Sequence, residues 1–549
     1  MKEKYIICLF LLSLLTTLMK SQNTVGTTLN TAESYNGYSL ITPSTETTPS
    51  TTYLINNCGE VVNSWQSDFP GQGLDYLLED GSLYRGCTED LSTLIYAGKS
   101  GRIERYDWEG NLIWAYTFSD TDFTYHHDFY PMNNGNLLVL IAERRTQAEA
   151  IQNGRDPNQI PENELYTERI IEVEPIGSDD INIVWEWDLW DHLIQDFDST
   201  KDNFGVVSEN PQLLNINFVG LSNGAADWTH VNSMDYNEDL DQIVLGSRSL
   251  SEFYIIDHST TTAQAAGSTG GNSNMGGDFL YRWGNPQAYD LGTTNDQDLF
   301  GQHAVHWVPD GLPDAGNIMI FNNGVGRSFT TVDQITPPLL PDGSYDRIEN
   351  EPYGPENANI IYQDPVDPTN FFVPFLSSAY QLPNGNYLLD RGPVGQVIEV
   401  TPASEIVWEY ISPVLLNGTI LSQGDAPGGI NSRFYRAKRY GPEYEAFDGR
   451  DLIPGDPIES NPDPSGCTLD RLDVEQEASF TVFPNPVIDD LQIRTTAQDF
   501  EIQLIDLKGS VIGSWKNPTS LSLQTWKSGL YFVHFRTPQY SEVKKIVIR

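Results

Sequence analysis

One pattern returns five times between residues 74 and 412: two strands joined by a tight polar turn, then two more, the last ending in an aromatic residue. Its first half is read in Tyr76-Leu-Leu-Glu-Asp-Gly-Ser-Leu-Tyr84, in His127-Asp-Phe-Tyr-Pro-Met-Asn-Asn-Gly-Asn-Leu-Leu-Val-Leu140 and in Tyr380-Gln-Leu-Pro-Asn-Gly-Asn-Tyr-Leu-Leu389. Its second half is read in Arg102-Ile-Glu-Arg-Tyr-Asp-Trp-Glu-Gly-Asn-Leu-Ile-Trp114 and Gln396-Val-Ile-Glu-Val-Thr-Pro-Ala-Ser-Glu-Ile-Val-Trp408. Asn-Gly and Asp-Gly between alternating apolar runs are hairpin signals, so each unit is a four-stranded meander. Full units fall at about 74–118, 125–188, 228–285, 302–364 and 378–412, the fourth closing on Ile361-Tyr362 where the others have Trp. Two fragments remain: Tyr53 to Trp65 is a second half without a first, and Phe434 to Tyr440 supplies one more strand. Joined as one composite unit they close a ring, which makes the expected fold all-β, a six-bladed β-propeller over residues 23–452. The tryptophans are expected between neighbouring blades.

The two ends of the chain read differently. Lys2 and Lys4 precede an apolar run from Ile6 to Met19, broken by Ser13, Thr16 and Thr17. That run is too short to span a bilayer and fits a secretory signal over 1–22. Residues 453–477 begin with a Pro- and Gly-rich stretch of linker character. Beyond it, residues 478–549 show short alternating strands that predict a small β-sandwich. There, Phe483-Pro-Asn-Pro-Val487, Gly529-Leu-Tyr-Phe-Val533 and Lys544-Lys-Ile-Val-Ile-Arg549 resemble the C-terminal sorting domain of Bacteroidetes type IX secretion substrates. The resemblance implies a secreted or cell-surface protein, a partner in that export machinery, and later removal of the domain. With 31 basic and 76 acidic residues the formal net charge is −45, which makes nucleic acid and anionic membranes poor partners. No later stretch is long and apolar enough for a membrane helix.

Cys8 leaves with the signal, and the spacing of Cys58, Cys87 and Cys467 matches no zinc pattern. Export allows a Cys58–Cys87 disulfide, the alternative being free buried thiols. Of the eight histidines, His126, His127, His230, His303 and His306 all fall at the first strand of a unit. In a propeller this innermost strand lines the central channel, so three blades bring imidazoles to one axis. Arg248, at the end of the second strand of the His230 unit, adds a cation. Strand alternation places His306 opposite His303, a structural position, and turns His126 away from His127 unless the register is shifted by one. His192, His258 and His534 are read as structural. Insertions at 144–168 and 258–278 are expected as loops over one face.

The stretches His126-His-Asp-Phe-Tyr-Pro-Met-Asn-Asn-Gly-Asn136, Asp227-Trp-Thr-His-Val-Asn-Ser233, Ile243-Val-Leu-Gly-Ser-Arg248, Gly301-Gln-His-Ala-Val-His-Trp307 and Ile320-Phe-Asn-Asn-Gly324 resemble, in order, the bacterial arylsulfate sulfotransferase family. The resemblance implies transfer of a sulfuryl group from a phenolic sulfate ester to a phenol through a sulfated histidine, without a nucleotide sulfate donor. By position it makes His303 the nucleophile, with His230, Arg248 and His127 as partners; which of the two histidines handles the phenol proton stays open. No phosphate-binding glycine loop, Ser-His-Asp signature or zinc spacing is present, so no nucleotide or metal cofactor is indicated. A propeller binding or adhesion module, or a hydrolase or lyase using the same histidines, are the alternative readings.

Overall fold

The computed structural model describes residues 23–463, 467, 480–495, 497, 499–506, 508, 510–537 and 541–549. The expected signal, 1–22, and most of the expected linker after 463 lie outside the described residues. The described chain falls into two compact units, divided after Cys467.

The first unit is a six-bladed propeller. Blades 1 to 4 are four-stranded meanders over residues 71–117, 123–188, 231–283 and 303–362. Their turn glycines, such as Gly81 and Gly135, adopt φ of +83° and +90°, a left-handed conformation that glycine reaches without steric cost. Blade 5 is built from residues 378–411, and Gly26–Asn30 adds a fifth strand to its outer edge along Ile406–Ile411. Blade 6 is the composite one: Ala437–Tyr440 is innermost, followed by Tyr38–Ile41, Ser50–Asn56 and Val61–Ser67. Both chain ends are therefore woven into the closure, and the extra strand on blade 5 is the part that the repeat did not reveal.

The tryptophans bolt each blade to the next. The indole N–H of Trp65 on blade 6 donates to Asp107 O on blade 1, Trp114 to Asp180 O, Trp187 to Gly277 O and Trp283 to Pro355 O, at 2.7–3.1 Å. Trp408 on blade 5 reaches Asn57 O on blade 6 at 2.8 Å. Each indole buries a large apolar surface while its polar edge is satisfied. At the junction of blades 4 and 5 the position is Tyr362, whose ring packs on Phe371 with centroids 5.1 Å apart.

Other expectations are corrected. Cys58 is bridged to Cys467, not Cys87, with a Cα–Cα distance of 5.6 Å. Cys87 is a buried thiol on the second strand of blade 1, and burial pushes it up to about 12. Cys58 lies instead in the outer turn of blade 6, where the returning chain passes: Val61 and Gly455 exchange backbone hydrogen bonds with Asp456 and Val61, and Glu60 forms a bridge with Pro457. The start of the proline-rich stretch is thus propeller, not free linker. The insertion at 144–168 is partly strand, since Leu137–Thr146 and Glu164–Ile176 form one long hairpin capped by the helix Gln147–Gln152. The second unit is a β-sandwich of a three-stranded and a four-stranded sheet around Phe480, Leu491, Ile502, Val533 and Ile546. No helix among the described residues is long and apolar enough to cross a membrane.

Candidate active site

All six innermost strands run the same way along the channel, so its two mouths are chemically distinct. Their later halves line a cavity of about 1050 Å³ whose wall includes Tyr76, Asp235, His306, Tyr380 and Lys438. A bridge from Arg436 to Asp128 at 2.6 Å crosses the channel between blades 6 and 2. Beyond it, at the starts of the innermost strands, the histidines gather.

Local backbone departures put them there. His127 and His230 have φ of +50° and +46°, and Ala304, beside His303, has +50°. His127 and Ala304 lie within bulges in the pairing of their innermost strands, and His230 immediately precedes a strand whose pairing shifts between Val231 and Ser233. Left-handed non-glycine residues cost of order 1–3 kcal/mol and persist only where surrounding structure enforces them, which is typical of functional sites. The bulges also break strand parity. His126 and His127 do not point apart as alternation predicts: their Nδ1 atoms lie 2.9 Å from each other. His306, past the Ala304 bulge, faces the other mouth, where it lines the cavity and packs on Tyr380.

The structure brings His303, His230, His127 and Arg248 to one place. The rings of His127 and His230 touch edge-on at 4.7 Å, and Tyr96, from the blade 1 loop 89–100, stacks on His230 at 5.2 Å. Arg248 follows the second strand of blade 3 and donates its backbone N–H to His230 O at 3.1 Å. Its half-buried guanidinium has no hydrogen-bond or ion-pair partner among the described residues. An unpaired fork of donors at a desolvated site is suited to an oxyanion.

Each histidine is held from behind. Nε2 of His303 accepts the Leu376 N–H at 3.2 Å, so the neutral ring carries its proton on Nδ1, which donates to Asn323 Oδ1 at 2.7 Å. The Asn323 amide is itself fixed, donating to Val373 O and Leu376 O at 2.7 and 3.0 Å. Burial, and then the charge of Arg248, hold His303 well below the ordinary histidine value, so it is neutral, with its Nε2 lone pair engaged only by the Leu376 N–H. His230 Nδ1 sits 2.7 Å from Asp227 Oδ2. Burial and the charge of His230 likewise keep His127 well below the usual range. Behind His127, His126 Nε2 lies 2.8 Å from Glu168, a fully buried carboxylate. Burial alone would raise Glu168, but His126, the Val231 N–H and the Thr229 hydroxyl outweigh it and hold the group below the ordinary carboxylate value.

Sequence reasoning missed Tyr96, Glu168 and Asn323. Only Asn323 lay inside a quoted motif, Ile320-Phe-Asn-Asn-Gly324; Glu168 and Tyr96 come from a second-half strand and a loop without repeat signal. Among the described residues no three His, Cys, Asp or Glu side chains converge as a metal site. His192 and His258 are tied to carboxylates away from this mouth: His192 to Asp278, His258 to Asp241 and Glu172.

Comparison with known proteins gives the site its context. The family model for arylsulfotransferase (ASST) matches residues 18–410, and that for the secretion system C-terminal sorting domain matches residues 481–549. The latter implies interaction with the type IX secretion system and a secreted or cell-surface location. No curated protein matches the chain. Among solved structures, the chain is similar to the periplasmic gluconolactonase of Pseudomonas aeruginosa, at 10% identity and TM-score 0.34, covering 74% of this chain and 99% of that one. It is also similar to the β-propeller domain of Cps50 (Swd1) from Myceliophteria thermophila, at 8% identity and TM-score 0.34, covering 78% and 95%. A protein of unknown function from Bacteroides caccae matches at 10% identity and TM-score 0.34 over 68% and 93%. With its family match spanning most of the propeller, the chain belongs to the arylsulfotransferase (ASST) family.

Proposed function

We propose that this exported enzyme moves a sulfuryl group from a phenolic sulfate ester to a phenol through a sulfated His303, without a nucleotide sulfate donor. The observation that carries the reading is the pairing of a neutral, Nδ1-protonated His303 with the unpartnered guanidinium of Arg248 at one desolvated mouth. His303 Nε2 gives up the long Leu376 N–H bond and attacks sulfur in line, and the S–O bond to the aryl group breaks. The transition state of such a transfer is loose, by analogy with phosphoryl transfer, so positioning and charge stabilisation dominate. Arg248 donates to the sulfuryl oxygens. His230, with Nδ1 held by Asp227, turns Nε2 toward the same group. A phenol then attacks sulfur, the N–S bond breaks, and His303 is regenerated.

The test is turnover of a chromogenic aryl sulfate by the mature protein, with and without added phenol, beside His303→Ala. Phenol-dependent release that disappears in the variant, with a sulfated His303 trapped by mass spectrometry, is the expected outcome. Release into water alone would make the protein a sulfatase. No release with any acceptor would leave a binding module.

A further inference from the structure

A buried imidazole is a poor base, because the charge it acquires is unsolvated. His127 is such a group, yet it heads a chain of contacts that ends on a carboxylate. Glu168 accepts four donors: the His126 ring at 2.8 Å on Oε2, and on Oε1 the Thr229 hydroxyl at 2.8 Å, the Val231 N–H at 3.0 Å and the Tyr96 hydroxyl at 3.2 Å. An ionised carboxylate only accepts, so His126 Nε2 bears a proton. When that is the only proton on His126, its Nδ1 atom is a lone pair, and His127 Nδ1, 2.9 Å away, donates to it. In that state His127 Nε2 is unprotonated. Among the described residues no group hydrogen-bonds that nitrogen, and it is not sealed from solvent. Gly98, with φ of +74°, keeps it uncovered, since a Cβ there would stand 2.2 Å from it.

We propose that Glu168 and His126 form a proton relay behind His127, which makes His127 Nε2 the base that takes the proton of the acceptor phenol; this rests on the sulfuryl-transfer reading above. As the phenol O–H breaks, its proton bonds to His127 Nε2 and the Nδ1 proton of His127 passes to His126 Nδ1. The phenol oxygen bonds to sulfur while the N–S bond to His303 breaks. The positive charge comes to rest on His126, against Glu168, rather than on the desolvated outer ring. In the next donor half-reaction this stored proton returns: the Nδ1 proton of His126 passes to His127 Nδ1, the Nε2 proton of His127 goes to the departing phenoxide, and the relay is back in its neutral state. His127 is thus the catalytic base, and His126 and Glu168 are positioning and proton-holding residues.

The decisive variant is Glu168→Gln. Three donors converge on the Oε1 side, so the amide oxygen must stay there and the NH₂ must face His126. That inverts the chain: His126 accepts at Nε2, donates from Nδ1 to His127, and His127 Nε2 becomes protonated. In mature protein labelled with ¹⁵N-histidine, NMR is expected to show His127 switching from the Nδ1–H to the Nε2–H tautomer while His303 stays Nδ1–H. An unchanged His127 tautomer would overturn the relay whether or not the enzyme transfers sulfate. In kinetics, the burst of 4-nitrophenol from 4-nitrophenyl sulfate should fall much less than the transfer step, because that leaving group needs no proton. Transfer to a phenol un-ionised at the assay pH should fall about 10²–10⁴-fold, the usual worth of a general base, and transfer to an already ionised phenol far less. Equal losses with both acceptors would refute the base assignment. Should Glu168→Gln not fold, His126→Gln asks the same question: its amide can bridge Glu168 and His127 and preserve the tautomer, but cannot take up a proton. It is expected to keep the His127 signal and lose un-ionised acceptors selectively; full activity would refute the relay. No aryl sulfate turnover by the unmodified protein would instead count against the transfer reading, leaving the tautomer measurement to judge the relay.

Discussion

Replacing Arg248 by Met separates two effects that one guanidinium exerts on the site. Because the side chain is half-buried and makes no hydrogen bond or ion pair among the described residues, feeling only the nearby charge of Asp227, its removal should change stability by no more than about 0.5 kcal/mol. The rate should change far more. Losing one preorganised donor to a developing oxyanion costs about 2.7–4 kcal/mol, or roughly 10²–10³ in kcat. The second effect is on His303, which burial and the Arg248 charge together hold well below its ordinary value. Without the cation the imidazolium is less disfavoured, so the His303 pKa rises. Since the ring must be neutral to attack, the acid limb of kcat/KM moves to higher pH. Arg248→Lys should keep the limb near its original position and recover only part of the rate, because an ammonium lacks the planar fork. The assay is release of 4-nitrophenol from 4-nitrophenyl sulfate, with saturating phenol, across the acid range. A Met variant with an unchanged acid limb, or a loss below tenfold, would refute this account of the site.

Two further predictions concern the scaffold. Cys467→Ser opens a bridge between residues 409 apart, for which chain entropy gives about 6 kcal/mol as an upper figure; the denaturation midpoint should drop clearly, and thiol titration of unreduced, unfolded mature protein should find Cys87 as the free thiol. His258 joins Glu172 of blade 2 to Asp241 of blade 3 at 3.1 and 2.6 Å; burial would lower it, but these two acids raise it to about 9. Its folded value exceeds the unfolded one, so its contribution of about 3 kcal/mol is complete below pH ~6.5 and lost as pH climbs through about 9, and His258→Gln should flatten that part of the stability profile in chemical denaturation.

The ring was legible because its determinants are local. Turn pairs such as Asn134-Gly135 and the closing tryptophans recur with each unit, and even the departure at Tyr362 could be read before its consequence was known. That His127, His230 and His303 would gather at one axis was legible for the same reason, as each sits at the first strand of a unit, whereas Arg248 was read from one unit alone. What failed was parity. Two adjacent histidines in a strand point apart, and only the left-handed backbone at His127 makes His126 its neighbour. Neither Glu168 nor Tyr96 carries a local signal, because their places are set by contacts with other blades. The partner of Cys58 is likewise decided by where the chain returns after one full circuit, which no spacing between cysteines encodes.

A ring fastened by five indoles and one plain aromatic contact is not closed in the same way at every junction. The exception lies between blades 4 and 5, where the connection 363–377 follows Tyr362 and is held by apolar packing and by Asn323 and Thr330 instead of an indole. That connection ends in Leu376 and Ser377, two consecutive non-glycine residues at φ of +56° and +87°, and Leu376 supplies the N–H that covers His303 Nε2. For the chemistry proposed here, this cover must lift before the nitrogen can bond to sulfur. The N–H that has to withdraw belongs to a residue whose own carbonyl is held by Asn323, the side chain that also accepts from His303 Nδ1, so one amide governs both nitrogens of the attacking ring.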